Sequence, residues 1–229
     1  MKYLLSLAFS TVILSSTYAT FISIDIGGTI SSVTDSYAPD LVTGQAVTAS
    51  FSYNTDEAVA TSADTTPSLD PGHEYTSFYD FESPPYGGTV NIPSIPATFT
   101  SNSAAVVVND DLFIDSADVN GALASGTYDW IEILASTAVD GANGYPANGE
   151  EWTLAIFGPT NWITDGSLIP DDLPSSYTAI LLGIEFDEFE NEIGIVFVEI
   201  GSMTVVPEPS NFALLFGVAA LAIIGIRRK

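Results

Sequence analysis

The side chains in this chain best suited to chemistry are carboxylates set in turns. Three runs concentrate them: Asn109-Asp110-Asp111, Asp115-x-x-Asp118-x-Asn120-Gly121, and Asp187-Glu188-x-Glu190-Asn191-Glu192. Hard oxygen donors grouped in loops are what Ca2+ coordinates. Asp110, Asp111, Asp115, Asp118, Asn120, Asp187 and Glu190 are therefore the candidate calcium ligands. The second run places Asp118, Asn120 and Gly121 as an EF-hand loop would. Ser116 then stands at the first ligand position and Thr127 at the last, where a bidentate Glu is required. It fails as an EF-hand, which leaves an irregular loop site of millimolar affinity as the calcium expectation and solvated acidic turns as the plain alternative.

Other chemistries find weaker footing. Carboxylate pairs cleave glycosidic bonds when held at a suitable separation, and Asp129 with Glu132, Glu150 with Glu151, and Asp187 with Glu188 and Glu190 are the candidates. Among 29 acidic residues such neighbours arise by chance. His73 is the single histidine; a Ser-His-Asp triad would need it, yet no G-x-S-x-G run is present. Zinc would have to be held by that one imidazole and carboxylates, an unusual set. No cysteine occurs, so disulfides and thiolate chemistry are absent. The expectation is a non-enzymatic protein with no catalytic residues. Trp152 alternates with Leu154 and Ile156 and is expected in the core. Trp162, in Gly158-Pro159-Thr160-Asn161-Trp162, falls in an expected loop and is the candidate for stacking on a sugar ring, against simply folding back onto the domain.

Charge narrows the partners. The 229 residues include 4 Lys and Arg against 29 Asp and Glu, a formal net charge of −25. Lys2 stands at the start and Arg227, Arg228 and Lys229 at the end, so Thr20 to Val206 contains no Lys or Arg and every acid except Glu208. No Lys or Arg salt bridge can form in that stretch. Its carboxylates must be solvated, hydrogen-bonded or cation-bound, and their repulsion should weaken the fold at low salt. Nucleic acid and anionic lipid headgroups are excluded as partners. Adaptation to a salty medium and functional binding of divalent cations are the two explanations such a surface admits.

The elements that must position these residues read as strands. Ile22, Ile24 and Ile26 alternate with Ser23 and Asp25 until Gly27-Gly28 breaks or bulges the strand before Thr29–Val33. Val47, Ala49, Phe51 and Tyr53 alternate with hydroxyl residues, the pattern of a half-buried strand. Asp56 to Gly72 reads as a long loop, Tyr75 to Phe81 as a strand, and Thr89 to Phe99 as an edge weakened by Pro93 and Pro96. Ala104–Val108, Asp111–Asp115, Tyr128–Leu134 and Glu151–Phe157 are further short strands. Tyr177 to Phe186 fits helix or strand, and Ile193 to Val206 is a long β-branched run. Eight to ten strands with almost no helix pattern predict an all-β ectodomain over 20–206, an antiparallel, jelly-roll-like β-sandwich.

Both ends read as targeting segments. Met1-Lys2, the apolar run Leu4 to Leu14 and Thr17-Tyr18-Ala19 predict a signal peptide over 1–19, cleaved between Ala19 and Thr20. At the other end, Pro207-Glu208-Pro209 cannot enter a helix or sheet easily. It is followed by fifteen uncharged residues, Phe212 to Ile226, and then by Arg227, Arg228 and Lys229. As a helix that run would span ~22 Å, short of a ~30 Å hydrocarbon core, a gap that thinning and snorkelling can close. The terminal cations predict a cytoplasmic end, with everything before the run outside.

Val206-Pro207-Glu208-Pro209-Ser210, then 212–226, then Arg227-Arg228-Lys229 closely resembles the PEP-CTERM sorting signal of bacterial envelope proteins. The resemblance implies handling by an exosortase, a membrane transpeptidase-like enzyme, with cleavage near the motif. It also implies a bacterium that makes extracellular polysaccharide, and transient anchoring of the chain in the inner membrane by one transmembrane helix. Gly28-Thr29-Ile30-Ser31-Ser32-Val33, Val42-x-Gly44-Gln45-x-Val47 and Ser50-Phe51-x-Tyr53-Asn54-x-Asp56 resemble the start of an ectodomain recurrent in PEP-CTERM proteins, which brings no activity with it. The expectation is an exported, exosortase-sorted envelope or matrix protein that associates with surface polysaccharide. A secreted carbohydrate-active hydrolase and a self-associating adhesion or surface-layer component are the alternatives.

Overall fold

The computed structural model describes residues 21–34, 41–56, 59–70, 73–82, 84–94, 98–117, 119–137, 139–140, 146–147, 149–170, 172–189 and 191–207. They form β1 (Phe21–Val33), β2 (Ala46–Asn54), β3 (Ser62–Asp64), β4 (Ser68–Asp70), β5 (His73–Tyr75), β6 (Ser77–Glu82), β7 (Gly87–Asn91) and β8 (Thr98–Ser101). After these come β9 (Ser103–Ile114), β10 (Gly126–Ser136), β11 (Val139–Asp140), β12 (Pro146–Ala147), β13 (Gly149–Gly158), β14 (Thr178–Phe186) and β15 (Glu192–Pro207). Eleven strands join in one antiparallel sheet, ordered β3-β6-β9-β10-β13-β14-β15-β1-β2-β7-β8; β4 with β5 and β11 with β12 form small ribbons. Among the described residues no helix is long and apolar enough to cross a membrane. The expected signal peptide 1–19 and apolar run 212–226 lie outside those residues.

A sheet this wide accumulates twist and curls. The β7–β8 end comes to lie over β10 and β13. A Cβ built on Gly88 of β7 would stand 2.5 Å from Ala135 Cβ of β10. Phe99 of β8 meets Trp152 of β13 with ring centroids 6.4 Å apart, and Ser101 Oγ donates to Ser136 O at 2.8 Å. Between the two halves lies one continuous apolar core that includes Ile24, Phe51, Tyr53, Phe81, Val106, Ile133, Trp152, Leu154, Leu181 and Val196. Alternation supplies it: along β2, Val47, Ala49, Phe51 and Tyr53 are buried while Thr48, Ser50 and Ser52 take the other face.

The turn from one half into the other is made within the β1–β15 pair. Residues 192–199 of β15 pair with β14, and residues 196–207 pair with β1. The ladder slips between Gly27 and Gly28, where Ser202 and Ile200 are their partners and Gly201 is the extra residue. A Cβ on Gly28 would lie 2.6 Å from the Glu199 carbonyl oxygen and one on Gly27 2.7 Å from Ser202 Oγ. Only bare backbone fits where two strands bend together, which is the use of glycine at a sheet corner.

Several segments differ from their sequence reading. Ala104–Val108 and Asp111–Asp115, expected as two strands, are one strand, β9, interrupted by Asp111 at φ 55°. The expected loop 56–72 carries β3 and β4. The ambiguous Tyr177–Phe186 is strand, because β13 and β15 satisfy its backbone on both sides. The proline-weakened stretch 89–99 divides into β7 and β8, and β8 is the outermost strand.

A second apolar cluster sits on the outer face of the sheet. Val119, Trp130, Phe157 and Ile180 are buried there, with Leu112, Ile114, Leu123, Tyr128, Ala155 and Phe197 packed around them. The β9–β10 connection therefore acts as a flap, with Val119 pressed onto the sheet. Two stability measurements follow from this packing. Gly28→Val should destabilise the chain by about 1–3 kcal/mol in urea unfolding, since backbone must move to admit the side chain. Tyr53→Phe should leave stability unchanged or raise it by about 1 kcal/mol, because the buried Tyr53 hydroxyl has no hydrogen-bond partner among the described residues.

Candidate metal centre

The β9–β10 ladder contains a bulge made of aspartates. Leu112 pairs with Tyr128 and Asn109 with Trp130, so Asp110 and Asp111 are both set against Asp129. Asp is one of the few side chains that tolerates the left-handed φ Asp111 adopts. One carboxylate oxygen from each of Asp110, Asp111 and Asp129 can be chosen so that all lie within 4.8 Å of one another.

Asp129 is fully buried, and backbone amides meet both of its carboxylate oxygens. Its Oδ1 accepts the Asp111 amide at 3.0 Å, and its Oδ2 accepts the Trp162 and Ile163 amides at 2.9 and 2.8 Å. One carboxylate thus ties the bulge to the β13–β14 loop. That loop is fastened further by Ser77 Oγ to Gly166 O at 2.6 Å and by the Tyr79 hydroxyl to Ser167 O. Asp110 is half-buried and its amide donates to Thr76 Oγ1 at 3.0 Å. Burial first, then the charges of Asp129, Asp111 and Asp165, raise its carboxyl above the usual range, opposed by the Gly166 amide.

This set suits a weak calcium site. Calcium takes 6–8 oxygens at ~2.3–2.6 Å. Three carboxylates provide part of that shell, Asp129 Oδ1 retains acceptor capacity beyond its one amide, and exposed Asp111 leaves room for water. A cation there would neutralise the repulsion that now raises Asp110.

Of the other expected ligands, Asp115 and Asp187 are spent on their own turns. Asp115 Oδ1 accepts the Ala117 amide at 3.0 Å and Ser125 Oγ at 3.2 Å. Asn120 (φ 51°) and Gly121 (φ 76°) form the left-handed turn that follows buried Val119, so this run builds the flap. Asp187 closes the β14–β15 hairpin, its Oδ1 accepting the Phe189 and Asn191 amides at 2.7 and 2.9 Å. The Asn191 side chain and those amides hold Asp187 below the usual carboxylate range. Asp118 and Glu190 lie outside the described residues, as do Ala19, Thr20, Glu208, Pro209, Ser210, Arg227, Arg228 and Lys229. Val206 and Pro207 are the last two residues of β15, opposite Ser23 and Ile22. Trp162 packs on Gly158, where a Cβ would lie 2.6 Å from the ring, and donates its indole N–H to Asp172 O at 2.9 Å. His73 belongs to β5.

The carboxylate pairs chosen by proximity in sequence separate by strand parity. Asp129 and Glu132 are three apart on one strand and so face opposite sides of the sheet, as do neighbours Glu150 and Glu151. Glu132 accepts the Trp130 indole N–H at 2.7 Å on the outer face, while Glu150 accepts that of Trp152 at 3.3 Å. Glu132 and Glu151 share the outer face, but their ladder partners are Ala155 and Ser136, four residues apart along β10 and β13. Burial raises Glu132, and burial followed by the Glu132 charge raises Glu151 to about 7. A strand-parity count over aligned β10 and β13 would place both on one face, which neither local spacing nor composition shows.

The sign of the resulting pH dependence is opposite to that of an ion-paired acid. Folded Glu151 holds its proton more tightly than the unfolded chain. Its contribution is therefore present below the unfolded value of ~4.3 and is lost as pH rises through about 7. Relative to wild type, Glu151→Gln should raise Tm by a few degrees at about pH 8 and change it little at about pH 4. Parallel Tm–pH curves for the two proteins would remove the assignment. Set against protein-family models, curated proteins and solved structures, the chain matches none, so its reading rests on its own residues.

Proposed function

We propose that this is an exported, non-enzymatic protein of a bacterial cell envelope or extracellular matrix, sorted by its PEP-CTERM-like tail and associating with surface polysaccharide, with calcium as the bridging ion. The observation that carries the reading is the tail itself, in the order Pro-Glu-Pro-Ser, apolar run, Arg-Arg-Lys. β15 lends support: it is held between β14 and β1 and ends in Val206-Pro207, so the tail leaves from an interior strand. Pulling there would load the β1–β15 ladder along its length, as suits a domain tethered at its C-terminus.

Ile22 of β1 pairs with Pro207 of β15. On this reading the leader is removed at export and an exosortase acts near the motif, after transient anchoring by the helix over 212–226. The ectodomain is read as a jelly-roll-like sandwich whose layers are the two halves of the curled sheet. With no Lys or Arg from Thr20 to Val206, an anionic polysaccharide would need a cation between it and the protein, and Asp110, Asp111 and Asp129 are the residues to hold one.

A carboxylate-pair hydrolase is the second reading, favoured by Glu151, raised to about 7 on the face that also carries Glu132. That reading expects release of reducing sugar, abolished by Glu151→Gln. For the first, purified Thr20–Val206 should be retained on extracellular polysaccharide from its own producer in calcium and released by EDTA. Asp110→Asn with Asp111→Asn should abolish the calcium-dependent part. No retention in either buffer would defeat the polysaccharide reading and leave the sorting tail alone standing.

A further inference from the structure

The outer face carries a cleft of about 570 Å³ between the turn 119–122 and strands β14, β15 and β1. That volume lies within the ~300–1,000 Å³ typical of small-ligand sites. Its floor is apolar, with Val119 and Ile180 buried and Phe197 half-buried. Its rim is polar and exposed: Asn120 on the flap, Tyr177 before β14, Glu199 on β15, and Ser202 just past the corner.

Two features already described shape it. The left-handed Asn120-Gly121 turn puts Asn120 at the cleft while its neighbour Val119 is buried. The bulge at Gly201 turns the outer face of β15, and beside Ser202 the Gly27 position is bare backbone. These rim groups are also chemically unspent. Turn side chains elsewhere bond their own backbone: Asp64 to Thr66, Asp115 to Ala117, Asp165 to Ser167, Asp187 to Phe189. Among the described residues no hydrogen bond engages the Asn120 side-chain carboxamide, the Tyr177 hydroxyl or the Glu199 carboxylate.

We propose that this cleft binds a neutral oligosaccharide, an inference that rests on the polysaccharide reading above and assigns it a site. Aromatic surface from Tyr177 and Phe197 accepts the C–H face of a pyranose, as an amphipathic ring with one polar edge can. Asn120, Glu199 and Ser202 supply mixed donors and acceptors for hydroxyls, and a carboxylate accepts two from a vicinal diol. Charge decides the class. Glu199 at the rim, in a domain without Lys or Arg, repels uronate, sulfate and phosphate groups. Binding here therefore needs no calcium, unlike bridging at Asp110 and Asp111.

The test is calorimetric titration of the full chain in detergent micelles with neutral hexasaccharides of glucose, mannose, galactose and xylose. Oligogalacturonate is the anionic probe, and each titration is run in calcium and in EDTA. A neutral oligomer should bind equally in both buffers and oligogalacturonate should not bind at this cleft. Tyr177→Ala should weaken binding about tenfold or more, and Glu199→Gln or Asn120→Gly about threefold or more. Asn120→Gly keeps the left-handed turn, so its Tm should stay at the wild-type value. No neutral oligomer binding, or binding unmoved in these variants, overturns the proposal. Calcium-dependent retention on the producer's polysaccharide that the cleft variants leave intact would overturn the cleft and preserve the matrix reading. Calcium-independent binding lost in the cleft variants, without calcium-dependent retention, would support the cleft and remove the bridging role.

Discussion

No lysine or arginine lies between Thr20 and Val206, and the structure is built around that lack. A carboxylate taken out of water must be compensated, and here the partners are neutral donors. Asp129 takes three backbone amides and Glu132 and Glu150 take indole N–H groups, while solvent-facing Asp187 takes the amides of its own hairpin. Each such bond also does an architectural task. Asp129 closes the β13–β14 loop over the end of the sheet, and Asp187 sets the β14–β15 register. Elsewhere burial raises the carboxyl, as at Glu151 and at Asp110.

The same economy shapes the sheet. One eleven-stranded sheet curls upon itself to enclose its core. It needs one place where the longest strands can bend, and Gly27, Gly28 and Gly201 provide it. The corner encloses apolar side chains on its inner side and opens the cleft on its outer side. Fold and candidate binding surface thus depend on the same three residues.

The flap shows how an acidic loop can be misread. Residues 115–121 have the composition of a cation loop, yet their work is to bring Val119 down onto Trp130, Phe157 and Ile180. Asp115 and Asn120 are there for turn geometry. The aspartates that do converge do so because a bulge sets two residues of β9 against one of β10.

The sequence by itself determined the class of fold, most strand positions, the core side chains of β2 and β13, and the strongly negative charge of the domain. These follow from local rules: alternation of period two, turn chemistry, and the absence of Lys and Arg. It also carries the tail whose order underlies the proposed sorting. Tertiary structure decided which carboxylates meet. Asp129 joins Asp110 and Asp111 because cross-strand register and a bulge bring together residues on separate strands. It decided as well that the sheet is continuous and that Asn120, Tyr177 and Glu199 share one cleft. Register depends on every strand between the partners, and no window of sequence contains it.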